Sequence, residues 1–184
     1  GSNESFVSLM NETAKKAGAE YSNFVTPHGL DTNNHYSTAY DMALLTRYAM
    51  KNDEFSRICA SSSASLEYGN PPYRRTLYNS NKLLSQYDGC IGVKTGFTDN
   101  ARRCLVSAAE RDGVTLIAVT LNAGDDSNAH TKMLDYGFTR VYSYPLELSC
   151  SKRVAVAGTG QSVEVYAESE QISLLPEQRE RLTR

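Results

Sequence analysis

The 184-residue chain is 40% hydrophobic and 22% charged, an ordinary balance for a globular protein long enough to bury a substantial core. A formal net charge of -2 and the lack of any basic cluster argue against a phosphate-binding surface of the kind nucleic acids require. No apolar run approaches the ~18 residues that cross a bilayer, and no charged-then-apolar leader is present.

Residues 4 to 18 place Phe6, Leu9, Met10, Ala14 and Ala17 on one helical face, and Lys15-Lys16 before Gly18 supply a basic, glycine-marked C-terminus. Residues 19 to 37 are dense in Asn, Ser, Thr, Pro and Gly and predict a long irregular loop. Loops of that length in a compact domain are functional or pinned by their own contacts. Thr38 and Asp41 have capping-box spacing, with Asp in place of the usual Glu, ahead of a helix over 39 to 51. "DEFSRICA" predicts a short helix, and "ASLEYG" and "YRRTLYN" predict two strands around the turn "GNPP".

"NSNKLLSQYDG" then leads into a strand ending at Lys94. Strands over 102 to 110 and 114 to 121 form a hairpin across Asp112-Gly113, a dipeptide suited to a primed turn. Their near-continuous apolar character predicts a sheet covered on both faces. A helix over 126 to 141 follows, with Met133, Leu134, Phe138 and Val141 directed inward. The order of elements predicts an α+β arrangement with an antiparallel sheet. After Tyr144-Pro145 the pattern alternates, with Val154, Val156, Val163 and Val165 on half-exposed strands. This predicts a domain over 1-145 and the incomplete start of a β-rich domain over 146-184.

The four cysteines, Cys59, Cys90, Cys104 and Cys150, show no CxxC and no zinc-ligand spacing, so a metal site is not expected; no cofactor of another kind is expected either. Cys104 reads as a small buried side chain. His28 reads as a hydrogen-bonding strut, His35 and His130 lack an obvious carboxylate or cysteine partner, and Asp31 reads as organising its own loop. Arg102-Arg103 read as basic residues on an exposed strand edge.

The chemistry concentrates in Lys94-Thr95-Gly96. At a strand lining a cleft, the lysine gives a fixed positive potential, the threonine a hydroxyl, and the glycine close approach of a substrate backbone. Three common residues in a row carry little alone, and a lysine at a strand end is more often a solvated charge. The context adds weight. K-T-G, "FVSLMN", "PHGLD", "YSTAYDMALL", "NSNKLL", "GVKTGFT" and "MLDYGF" occur in one order over residues 4 to 143. In this the sequence resembles the penicillin-binding protein and β-lactamase superfamily, and within it the serine D-alanyl-D-alanine carboxypeptidases that trim peptidoglycan stem peptides.

The resemblance implies that fold, followed by a β-rich C-terminal domain, and a secreted, extracytoplasmic enzyme of the bacterial envelope. It implies catalysis through an acyl-enzyme on peptides ending in D-Ala-D-Ala, and capture of β-lactams by the same step. Lys94 would be the catalytic cation, Thr95 would bind the terminal carboxylate, and the Phe97 N–H would be an oxyanion donor, with Gly96 and Thr98 also binding substrate. The family's nucleophile and its lysine sit in S-x-x-K, followed by S-x-N, and both are expected upstream of residue 1. No S-x-N occurs here, and Ser149-Cys-Ser-Lys152 reads as a chance match. The family usually has glycine where Arg102 stands, and residues 123 to 130 lack the arginine some members place near the substrate carboxylate. Membrane anchoring is expected only through parts absent here, and a complementary N-terminal segment or self-association is expected to complete the sheet. A noncatalytic peptidoglycan-binding homologue or fragment is the alternative, and a β-lactamase or related esterase a more distant one.

Overall fold

The structure, a computed structural model, describes residues 1–146, 151–155, 162–166 and 170–182. The Ser149 to Lys152 quartet therefore lies partly outside the described residues, as do Val156 and Cys150. Helix α1 (Asn3–Lys16) starts at a capping box in which Ser2 and Ser5 bond each other's backbone, and it closes on the expected basic turn. Only Ala14 on it is buried. Phe6 and Leu9, expected to face inward, are more than half exposed.

Helix α2 (Ala39–Ala49) is capped by Thr38, whose side chain accepts from the Asp41 N–H. Asp41 does not complete the box. Its Oδ2 instead accepts from the Tyr21 N–H and the Ser22 hydroxyl, both at 2.7 Å, so the carboxylate holds the long loop rather than its own helix end. Helix α3 (Asp53–Ala60), capped by Asn52, leads to the hairpin of β1 (Ser63–Tyr68) and β2 (Tyr73–Tyr78), exposed along its whole length. The short helix α4 (Leu83–Gln86) precedes the central sheet.

That sheet has the order β3-β4-β5, from β3 (Cys90–Thr98), β4 (Arg102–Arg111) and β5 (Val114–Thr120), all antiparallel. Asp112 and Gly113 both take positive φ, 50° and 74°, the pair of left-handed conformations that a two-residue primed turn needs. Strand β3 runs on through Thr98, so Lys94 does not end it as expected. Polar residues suit the outer half of an edge strand, which need not be apolar to keep its pairing.

Both faces of the sheet are covered, as the apolar strands imply. Leu105, Ala109 and Ala118 pack with Leu83, Tyr87 and Leu134 of α5 (Asp126–Phe138). Val106 and Ala108 pack with Met42 and Met50 of the α2 region and Cys59 of α3 on the other side. Met133, expected inward, is exposed. Its neighbour Leu134 takes the core position, and Phe138 packs beside it, while Val141 lies beyond the helix. At the rim Tyr87 donates to Asp135 at 2.8 Å under the Arg111 guanidinium, and burial pushes its phenol up to about 12.

Beyond α5, β6 (Tyr142–Leu146) pairs with β9 (Glu170–Leu174), and β7 (Ser151–Ala155) with β8 (Ser162–Tyr166), before α6 (Pro176–Leu182). Among the described residues no helix is long and apolar enough to cross a membrane.

The two adjacent apolar positions on α5 make a direct test. Leu134→Ala should lower unfolding free energy by about 2–5 kcal/mol through transfer and cavity terms. Met133→Ala should stay within about 0.5 kcal/mol, as surface changes do. Urea denaturation of both variants reads the difference.

Candidate active site

Lys94, Thr95, Gly96, Phe97 and Thr98 all line one cleft of about 1090 Å³, so the structure brings together every residue singled out in the motif. The opposite wall is the long loop, including His28, Asp31, His35 and Tyr36, and the floor includes Met42 and Ser80. Strand register decides what each residue presents. The Glu110 N–H bonds Gly89 ahead of β3, and the Arg103 carbonyl accepts from Ala123 on the β5 side. Main-chain groups alternate along a strand, so Cys104 and Val106 bond β3 whereas Arg103 and Leu105 bond toward β5.

Opposite those last two stand Phe97 and Thr95. Their N–H and C=O groups therefore point away from the sheet, along the outer edge of β3, unpaired among the described residues, and into the cleft. Side chains alternate as well. Lys94, opposite Val106, falls on the face covered by α2 and α3, and Thr95, opposite Leu105, on the face covered by α5. Lys94 is exposed, and its Nζ donates to the outward carbonyl of Thr95. A Cβ added at Gly96 would make only ordinary contacts, at 3.9 Å to Cys104, so the glycine is not demanded by the sheet itself.

Beyond the Asp41 bonds to its start, the loop is held at three further points. Asn23 and Tyr36 bridge its base, Asn11 of α1 bonds both the N–H and the carbonyl of Phe24, and Asp31 accepts from the Asn100 N–H at 3.0 Å. The last bond joins the loop to the β3–β4 turn, so Asp31 clamps the mouth of the cleft rather than organising its own loop. His28 and His35 are struts, each accepting from loop N–H groups through Nδ1. Behind β3, buried Asn81 donates to the Gly92 carbonyl at 2.9 Å and accepts from the Leu83 N–H, which fixes "NSNKLL" against the strand.

Two arginines depart from expectation. Strand β4 is central, so Arg102 and Arg103 are not edge residues. Arg103 forms a two-pronged ion pair with Asp126 at the start of α5, with contacts of 3.1–3.2 Å. Burial raises the Asp126 carboxyl, but Arg103 and the Ser127 donors outweigh it and hold the group below its ordinary value. Arg102 has φ 58°, a left-handed conformation that costs an L-residue about 1 kcal/mol or more. Glycine is free of that cost, which gives a physical reason for the glycine usual in the resembling family. Cys104, expected buried, is half-buried beside this turn.

His130, for which no partner was apparent, is fully buried between Ser107 at 2.5 Å from Nδ1 and Thr120 at 2.9 Å from Nε2. The partners lie 23 and 10 residues away on β4 and β5, so only the assembled sheet reveals them. The ring pins α5 to the strands whose ends carry Arg103 and Asn122 into the cleft.

This chain belongs to the D-alanyl-D-alanine carboxypeptidase family, whose model matches residues 1–125. It is 37% identical over 149 residues to the D-alanyl-D-alanine carboxypeptidase DacF of Bacillus subtilis, covering 79% of this chain and 38% of that protein. It is 36% identical over 143 residues to DacC of Escherichia coli, covering 75% of this chain and 34% of that one. The crystal structure of the Streptomyces K15 DD-transpeptidase superimposes with a TM-score of 0.68 at 34% identity, over 74% of this chain and 55% of that one. The chain thus spans between about a third and two fifths of the length of these two carboxypeptidases.

Burial lowers the His130 pKa to about 4 against an ordinary 6.5, with nearby Asp126 opposing the shift. Between those values the unfolded chain holds a proton that the folded chain refuses. The stability contributed by neutral His130 is therefore full above about pH 6.5 and is lost, by up to about 3 kcal/mol, as pH drops toward 4. His130→Gln should flatten the 4.5–6.5 part of a stability-against-pH curve, measured by urea denaturation at each pH, relative to the parent chain.

Proposed function

We propose that the protein is a serine-type D-Ala-D-Ala carboxypeptidase of peptidoglycan maturation in the bacterial envelope, and that this chain supplies the K-T-G wall of its active site. The observation that carries the reading is the outward aim of the Thr95 and Phe97 main chain on a free strand edge, beside a lysine, within a cleft. An extended peptide meets such an edge as an added strand. The Phe97 N–H then lies where the oxyanion of an attacked carbonyl would form, and Thr95 offers a hydroxyl to the terminal carboxylate. Lys94 contributes positive potential to both, while Gly96 and Thr98 flank the bound main chain.

The attacking serine comes from a segment outside these residues, since S-x-N is absent here and the only S-x-x-K lies past α5. In the complete enzyme that serine adds to the penultimate D-Ala carbonyl, the terminal D-Ala leaves with a proton, and water releases the shortened peptide. β-Lactams would be trapped at the acyl stage. The 184 residues alone would bind peptidoglycan without cleaving it. The outer edge of β5, unpaired among the described residues, would take a strand from the same absent segment or from a second copy. Residues 146-184 would begin a separate β-rich domain, a reading supported by the pairing of β7 with β8, while β6, which pairs with β9, begins four residues before that boundary. Any membrane anchor would lie outside this chain.

Two outcomes test the assignment. Fluorescent penicillin should leave the intact 184-residue mass unlabelled, and a stoichiometric adduct on Ser149 would overturn the account. In the full-length protein, Lys94→Ala should slow acylation by about two orders of magnitude or more while shifting Tm by no more than about 2 °C, because an exposed lysine adds little to stability. A variant that melts several degrees lower yet acylates normally would make Lys94 structural.

A further inference from the structure

The cleft is lined by four cationic side chains, Lys82, Lys94, Arg102 and Arg103, and by two carboxylates, Asp31 and Asp126. Both carboxylates are engaged, Asp31 by the Asn100 N–H and Asp126 by Arg103. Lys94 turns to the Thr95 carbonyl. Arg102 is different: it is exposed, it has no ion-pair or hydrogen-bond partner for its guanidinium among the described residues, and it stands in a left-handed conformation that glycine would occupy without strain. A strained turn position thus carries an uncommitted guanidinium at the wall of a cation-rich cleft in a chain of net charge -2.

Its place in the register says what it would meet. Arg102 lies opposite Thr98, three residues along β3 from Thr95, or roughly 10 Å at the usual rise of a strand. With the ligand's terminal carboxylate at Thr95 and the attacked carbonyl at Phe97, an antiparallel peptide brings its third residue from the C-terminus past Thr98; Arg102, across β3 on β4 and in the lining of the same cleft, would meet that residue by extending its side chain over Thr98. We propose that Arg102 is a specificity-determining residue that selects D-Ala-D-Ala peptides whose third residue from the end carries a free side-chain carboxylate. The proposal rests on the carboxypeptidase reading of the cleft. A guanidinium suits this task because its planar donors can meet both oxygens of a carboxylate, whereas a neutral amide in the same place accepts more weakly and an ammonium is repelled.

The test is calorimetric or NMR titration of the 184-residue chain with three N-acetylated peptides ending in D-Ala-D-Ala. The third residue from the end is L-α-aminoadipate, its side-chain carboxamide, or lysine. The carboxylate peptide should bind about threefold to tenfold more tightly than the carboxamide, as a partly solvated charge pair allows, with lysine weakest and the preference shrinking at high salt. In Arg102→Gly and Arg102→Asn, both compatible with the turn, the ratio should fall to about one, with carboxylate binding losing most and carboxamide binding changing by less than about twofold. Arg102→Lys should retain part of it. Equal binding of carboxylate and carboxamide by the parent chain, or a ratio unchanged in Arg102→Gly, would overturn the proposal and leave the carboxypeptidase reading standing. Failure of all three peptides to bind would overturn that reading and the proposal with it.

Discussion

The arrangement depends on the burial of β4 on both of its faces. Five consecutive residues, Leu105 to Ala109, are buried, alternately against α5 and against the α2–α3 side. A one-residue slip against either neighbour would exchange the two sets and send Ser107 away from His130. The register with β3 is therefore fixed by packing, and with it the direction in which every group of the K-T-G strand points. Thr95 and Phe97 turn their main chain outward not through any property of their own but because Leu105 and Arg103 turn theirs toward β5.

Around that strand, polar side chains turn irregular chain into a cleft wall. Asp41 holds the start of the loop, Asp31 ties its far end to the β3–β4 turn, and Asn81 fixes the preceding segment to the back of β3. Buried Asn81 has its hydrogen bonds formed to main chain, the condition under which a buried polar group rigidifies rather than destabilises, whereas Asp41 meets the Tyr21 N–H and the Ser22 hydroxyl through Oδ2 and leaves its buried Oδ1 without a partner. A loop lacking regular structure can then present a reproducible surface. The Arg103–Asp126 pair and His130 do the same for the side formed by α5.

Features set by local sequence were legible before folding was considered. The helix starts at Thr38 and before "DEFSRICA", and the Asp112-Gly113 turn, follow from capping and turn chemistry within a few residues. Met133 and Leu134 are adjacent apolar residues on one helix, and a 3.6-residue period does not say which one the sheet will meet. The end of β3 was misplaced because an edge strand can be polar. Asp31 and Asp41 differ from expectation, and the hydroxyl partners of His130 go unsignalled, for a common reason: the partners are 10 or more residues away, so nothing local points to them. The family is legible by resemblance, and with it the proposal that residues 94 to 96 carry the chemistry. The geometry of those residues is not, because outward and inward main chain differ only through pairing with β4.

Backbone amide hydrogen exchange along β3 tests that geometry most directly. In the unliganded chain, the amides of Lys94, Gly96 and Thr98 should be protected by pairing with β4, and those of Thr95 and Phe97 should exchange markedly faster. Adding a peptide that ends in D-Ala-D-Ala should slow Phe97 most. If Thr95 and Phe97 were as protected as Gly96 without ligand, or if Gly96 were the one that exchanged freely, the strand edge would not face the cleft as described and the account of the site would be contradicted.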